Sequence, residues 1–167
     1  MAGIRAIGGT VAGLGLVGAG VAGLGLAGED NSTRNEAGQV VVAGDVGAFR
    51  IRVGDCFPMV ETGELESVRA VPCSQPHVYE VVGAFNLPYP DDAAFIGQAA
   101  IESHVAEQCP AEFARYVGIS YEYSQYYFGS ITPTAESWAE LDDREVLCTA
   151  TTQFKDIVVG SIKGSGQ

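Results

Sequence analysis

No residue from Ala6 to Gly28 carries a charge, whereas Arg5 precedes this stretch and Glu29 and Asp30 follow it. A run of about 20 apolar residues is long enough to cross a bilayer as a helix. Positive charge stays on the cytoplasmic side, so the expected topology is a single pass, N-terminus cytoplasmic and the remainder extracytoplasmic. Whatever follows residue 28 then folds where disulfides persist. Two fates fit the segment. As a retained helix it places Gly15, Ala19, Gly23 and Ala27 on one face, a small-residue stripe that allows helix–helix association. As a signal peptide it offers Gly25 and Ala27 before a cut at Gly28, which would release a secreted domain. The uncharged stretch exceeds a usual signal-peptide core, which favours retention.

The glycines of this segment also imitate a nucleotide fingerprint. Gly13, Gly15 and Gly18 match GxGxxG, but so do Gly18, Gly20 and Gly23, and then Gly23, Gly25 and Gly28. Overlapping matches at a five-residue period mark low complexity. A dinucleotide site needs a strand before the glycines and a βαβ unit around them. No cofactor is therefore expected.

The net charge is −12 and every Asp and Glu lies after residue 28, so binding to nucleic acid is disfavoured. The four cysteines, Cys56, Cys73, Cys109 and Cys148, form no CxxC pair. An even number behind an export segment reads as two disulfides.

Residues 1–28 are thus read as the transmembrane or signal segment, 29–48 as a linker, and 49–167 as the folded domain. Phe49, Ile51 and Val53 alternate with arginines, the period of a half-buried strand. Further strands are expected at 68–73, 77–85, 121–128, 145–151 and 157–162. Asp91 or Asp92 is placed to cap a helix through about Gln108. Cys109-Pro110 should break it, and Pro110 can start a short second helix that Gly118 ends. The expected fold is α+β: an antiparallel sheet packed on one face by two helices, with two disulfides, behind one N-terminal hydrophobic helix.

Few side chains point to chemistry. His77 and Glu80 are three apart; on a strand they would face opposite sides and could not share a ligand. His77 is read as shaping a turn near Cys73. No serine sits in a GxSxG elbow, and no metal or catalytic set is expected. The aromatic run with Tyr123 and Tyr126, together with Trp138 and His77, is the candidate binding surface.

A set of short motifs carries a resemblance. Gly54-Asp55-Cys56 precedes Val71-Pro72-Cys73-Ser74-Gln75-Pro76-His77 and Glu80-Val81-Val82. Tyr89-Pro90, Phe113, Tyr116-Val117-Gly118, Pro133-Thr134, Ser137-Trp138, Asp143-Arg144, Cys148 and the run from Gly160 to Gly164 follow in order. The series resembles the septum-formation-related domain family of high-GC Gram-positive bacteria, over about residues 50–164. The resemblance implies a membrane-anchored or exported protein linked to division-septum formation, with no enzymatic activity attached. One departure is visible: Asp142 stands where the family usually has glycine. The expected role is a non-catalytic cell-envelope module that binds a protein partner or a wall polymer. The alternative is an envelope hydrolase using His77 with a nearby acidic residue. Of the three cysteine pairings, Cys56–Cys73 with Cys109–Cys148 is the most local. The first pair would tie two strand ends, and the second a helix end to a strand. The smaller loop would contribute about 3 kcal/mol by constraining the unfolded chain, and the larger loop somewhat more.

Overall fold

The computed structural model describes residues 5–7, 28–60 and 64–167. Residues 8–27, most of the hydrophobic segment, with its Gly15, Ala19, Gly23 and Ala27 stripe and the cut after Ala27, lie outside the described residues. Among those described, no helix is long and apolar enough to cross a membrane.

The strands in chain order are β1 (Arg5–Ile7), β2 (Thr33–Arg34), β3 (Val40–Val42), β4 (Gly44–Gly47), β5 (Cys56–Phe57), β6 (Glu64–Leu65), β7 (Ser67–Ala70) and β8 (Tyr79–Asn86). Helix α1 (Gln98–Val117), strand β9 (Tyr126–Pro133), helix α2 (Ala135–Glu140) and strand β10 (Glu145–Thr152) follow. One antiparallel sheet runs in the order β5-β8-β10-β9-β1-β6, and the pairs β2-β3 and β4-β7 form two small ribbons. The α+β class, the antiparallel sheet, two helices and two disulfides agree with expectation.

The central strands are rich in β-branched and aromatic residues, which suit a pleated, buried surface. They are buried on both faces, so apolar residues run on without polar alternation. On one face Val82, Val146, Cys148 and Ala150 pack against Ile101, Cys109 and Phe113 of α1. On the other face Val81, Ile131 and Leu147 pack with Val46, Val68 and Ala70 of the β4-β7 ribbon. Both faces are therefore covered, one by helix and one by strands.

The helix differs from the expectation in a way its own sequence explains. Ile101, Val105, Cys109, Phe113 and Val117 are all buried at four-residue spacing. That single apolar stripe runs unbroken past Pro110, so packing holds one continuous helix where proline alone would end it. The second helix is instead α2, capped by Thr134, whose side chain accepts from the Ser137 N–H at 3.0 Å. Residues 91–97 stay out of helix, and the Asp91 and Ala93 carbonyls accept from side chains elsewhere in the chain, as described below. Gly118 ends α1 in the left-handed region, its N–H donating to Ala114 O at 3.0 Å. Where α1 crosses β8, a Cβ on Gly83 would lie 2.4 Å from Glu112 Cβ, so the close crossing requires glycine there.

Other expected elements shift. Ala48–Arg50 form a 3-10 turn in place of a strand, because β4 has already taken the pairing with β7. Tyr121–Tyr123 form a second such turn, and β9 begins only at Tyr126. No strand spans 157–162; Val158 of that stretch forms an isolated bridge with His77. The stretch read as a linker, 29–48, carries β2, β3 and β4, and its polar residues are used within the fold. Arg5, read as cytoplasmic, and Ala6 and Ile7, read as the start of the apolar stretch, lie as β1 between β9 and β6, with Ala6 opposite Thr132 and Glu64.

Candidate functional site

Both disulfides pair as the most local arrangement requires: Cys56 with Cys73, and Cys109 with Cys148. The second pins the middle of α1 to β10. The first joins β5 to the chain just after β7 and frames a buried polar cluster around Glu80.

Glu80 sits in an apolar strand and is 2% exposed. An unpartnered carboxyl there would be costly. Three donors reach it: the Tyr116 hydroxyl at 2.7 Å, the Ser161 hydroxyl at 2.5 Å and the Ile162 N–H at 2.9 Å. Burial, then the bond to Glu80, pushes the Tyr116 hydroxyl well above its ordinary pKa, so it stays a donor. His77 lies beside this group. It precedes β8, so the strand rule that separates it from Glu80 does not apply. Its Nε2 is 3.9 Å from Glu80 Oε2, and its Nδ1 is 2.8 Å from Gln75 O. The expectation that His77 and Glu80 could not share a ligand, which assumed a strand through both, is thus corrected. Among the described residues, Cys56, His77 and Glu80 form a convergent group of metal-ligating side chains.

Asp55, next in the chain to Cys56, is buried and takes a bidentate pair from Arg34. Nη1 is 2.6 Å and Nη2 2.9 Å from its two oxygens. Arg34 also donates through Nε to Asp30 at 2.7 Å and through Nη1 to Gly38 O at 3.0 Å. The Asp55 bonds raise the Arg34 pKa further, keeping it charged. For Asp30, burial pushes the carboxyl up. The hydrogen bonds from Ser32 and Arg34 outweigh that and hold it below its ordinary value. A depressed carboxyl stabilises the fold above its unfolded pKa, and that stability is lost as pH falls through the folded value.

A third cluster unites motifs far apart in the chain. Arg144 stacks over Trp138, with its guanidinium carbon 3.7 Å from the ring centroid. It donates to the carbonyls of Trp138, Asp143, Pro90 and Asp91. Trp138 Nε1 donates to Ala93 O at 2.6 Å. These bonds hold residues 90–93 out of helix. Asp142, beside them, has φ 52°, the left-handed region where glycine is at ease, which is why a glycine suits this position.

Of the expected binding surface, His77, Tyr126 and Trp138 are buried, each drawn into one of these clusters or the core. Tyr123 alone of the four is exposed, at 81%. Three other large apolar side chains also face solvent, Phe154, Ile157 and Val159, exposed by 78, 70 and 65%. They occupy the loop after β10, which runs beside the Cys73–His77 turn: Gly160 N donates to Cys73 O at 2.7 Å. Lys155 of the same loop lies over Tyr79, whose hydroxyl approaches the exposed Met59. Ile157, expected in a strand, belongs to this exposed loop instead. Its apolar residues carried the signal, but burial could not be read from them.

These features define a small α+β domain stapled by two disulfides, its polar motif residues turned inward to hold strand, helix and loop together. Residues 53–165 match the family described as Septum formation, and the chain belongs to that family. It is also similar to an uncharacterized membrane protein of Mycobacterium tuberculosis, in the CDC 1551 / Oshkosh and H37Rv strains. In each case it is 29% identical over 106 residues, 59% of this chain and 23% of the relative. The chain thus spans about a quarter of the length of those relatives. No solved structure matches it.

Proposed function

We propose that this protein is a non-catalytic cell-envelope module, connected with division-septum formation, that presents the 153–159 loop to a protein partner. The observation that carries this reading is the exposure of Phe154, Ile157 and Val159 on one short loop. Clustered exposed apolar side chains mark interaction surfaces. Ile157 and Val159 are aliphatic and Phe154 is the single aromatic ring among the three, which favours a protein face over a wall polymer that would call for several stacked rings. Burial of the His77–Glu80 pair supports a structural role and weighs against the hydrolase alternative. A photo-crosslinking side chain at Ile157 should give a discrete adduct in intact cells, reduced by Phe154→Ser with Val159→Ser. The same probe at Glu102, on the exposed side of α1, should give none. Equal adducts from both positions would refute the loop as the binding face.

Attachment to the membrane through residues 6–28 is part of the proposal. One pass would place Arg5 and Glu29 on opposite sides of the bilayer, so β1 would have to leave the sheet. An impermeant thiol reagent applied to whole cells should label Glu36→Cys, and label Arg5→Cys only after lysis. Labelling of both before lysis would show that the segment does not cross in a single pass.

A further inference from the structure

The His77 ring is held in one tautomer. Gln75 O can only accept, so Nδ1 donates to it and the neutral ring keeps its lone pair on Nε2. That Nε2 is fully buried and has no hydrogen-bond partner among the described residues. It points across 3.9 Å to Glu80 Oε2, and Cys56 Sγ completes a group whose ligand atoms lie within 4.8 Å of one another. Sulfur, imidazole nitrogen and carboxyl oxygen are the donor types zinc takes. Their outer partners are also in place. Gln75 O orients the ring, and Tyr116 and Ser161 orient the carboxyl, as outer partners do around metal ligands. What withholds the site is the bond from Cys56 to Cys73.

We propose that reduction of the Cys56–Cys73 disulfide turns this cluster into a zinc site with the Cys56 thiolate, His77 Nε2 and Glu80 as ligands. A dithiol supplies the two electrons and two protons. Its own sulfurs join in a disulfide as the Cys56–Cys73 bond opens to two thiols. Zinc then binds the Cys56 sulfur and its proton leaves to solvent. The freed Cys73 sulfur starts beside that of Cys56 and is placed to take the fourth tetrahedral position. The pocket would thus hold a disulfide when oxidised and a metal when reduced.

Cobalt(II) reports the site through its thiolate charge-transfer absorption. The full chain, reduced with a dithiol and freed of it under argon, should bind one cobalt with that absorption. The oxidised chain should show none. His77→Ala and Glu80→Gln should each weaken binding by roughly tenfold or more. Cys73→Ser, never exposed to reductant, frees Cys56 while leaving the Cys109–Cys148 bond intact, and should also bind. Absence of the absorption from both the reduced chain and Cys73→Ser would overturn the proposal. So would cobalt binding that neither His77→Ala nor Glu80→Gln weakens.

Discussion

Arg34→Ala should lower the unfolding free energy by about 3–5 kcal/mol, because it strands a buried acid. Asp55 is 1% exposed and receives both its side-chain ion-pair bonds from Arg34. Its remaining donor is the Arg52 N–H at 2.9 Å, which cannot offset a charge. Removing the guanidinium also takes one donor from Asp30, which keeps its bonds from Ser32, and one from the Gly38 carbonyl. Arg34→Lys should recover only part of the loss, since an ammonium cannot reproduce the planar two-pronged contact. Urea unfolding followed by circular dichroism measures both. A change below about 1 kcal/mol for Arg34→Ala would match an exposed pair and would mean that 29–48 is a linker after all.

The second large effect is expected at Trp138, the chain's single tryptophan. Trp138→Ala should cost about 3–5 kcal/mol, the range for emptying a buried indole site. The ring is 1% exposed and packs against Tyr89 and Phe95, with centroids at 5.8 and 5.6 Å. Its loss also leaves the Ala93 carbonyl without its donor and Arg144 without its stacking partner. Trp138→Phe keeps most of the packing but not the N–H, so its cost should be smaller. If Trp138→Ala melted like the parent yet weakened partner capture, the residue would belong to a binding face and the packing account would fail.

How far the fold could be read from the chain depended on whether the signal was local. Strands β8 and β10 were legible because their β-branched and aromatic residues are contiguous. The cysteine pairing was legible because locality and helix–strand placement pointed the same way. The helix boundaries were not, because Pro110 is a strong local breaker overruled by a packing stripe with members on both sides of it. The start of α1 was hidden for a related reason: Arg144 and Trp138, about fifty residues on, hold the carbonyls of 90–93. Arg34 looked like part of a polar linker, since its partner Asp55 is close only in three dimensions. Glu80 did leave a trace, a lone acid within Val-Tyr-Glu-Val-Val, but nothing local announces Tyr116 and Ser161 as its donors. The burial of His77, Tyr126 and Trp138, three of the four candidate binding residues, was hidden on the same ground. Aromatic residues were legible, and their burial was not.

On the proposed function, the motif residues around Cys56, His77 and Glu80 hold the domain together and do not turn over a substrate. The melting temperature of oxidised His77→Ala, read beside an assay on wall-derived material, tests it most directly. A loss of about 1–3 kcal/mol, a drop of several degrees, is expected from removing a buried ring hydrogen-bonded to Gln75 O. No separate activity should disappear with it. An unchanged melting temperature together with abolished turnover of a wall-derived substrate would contradict the account and make His77 a catalytic residue.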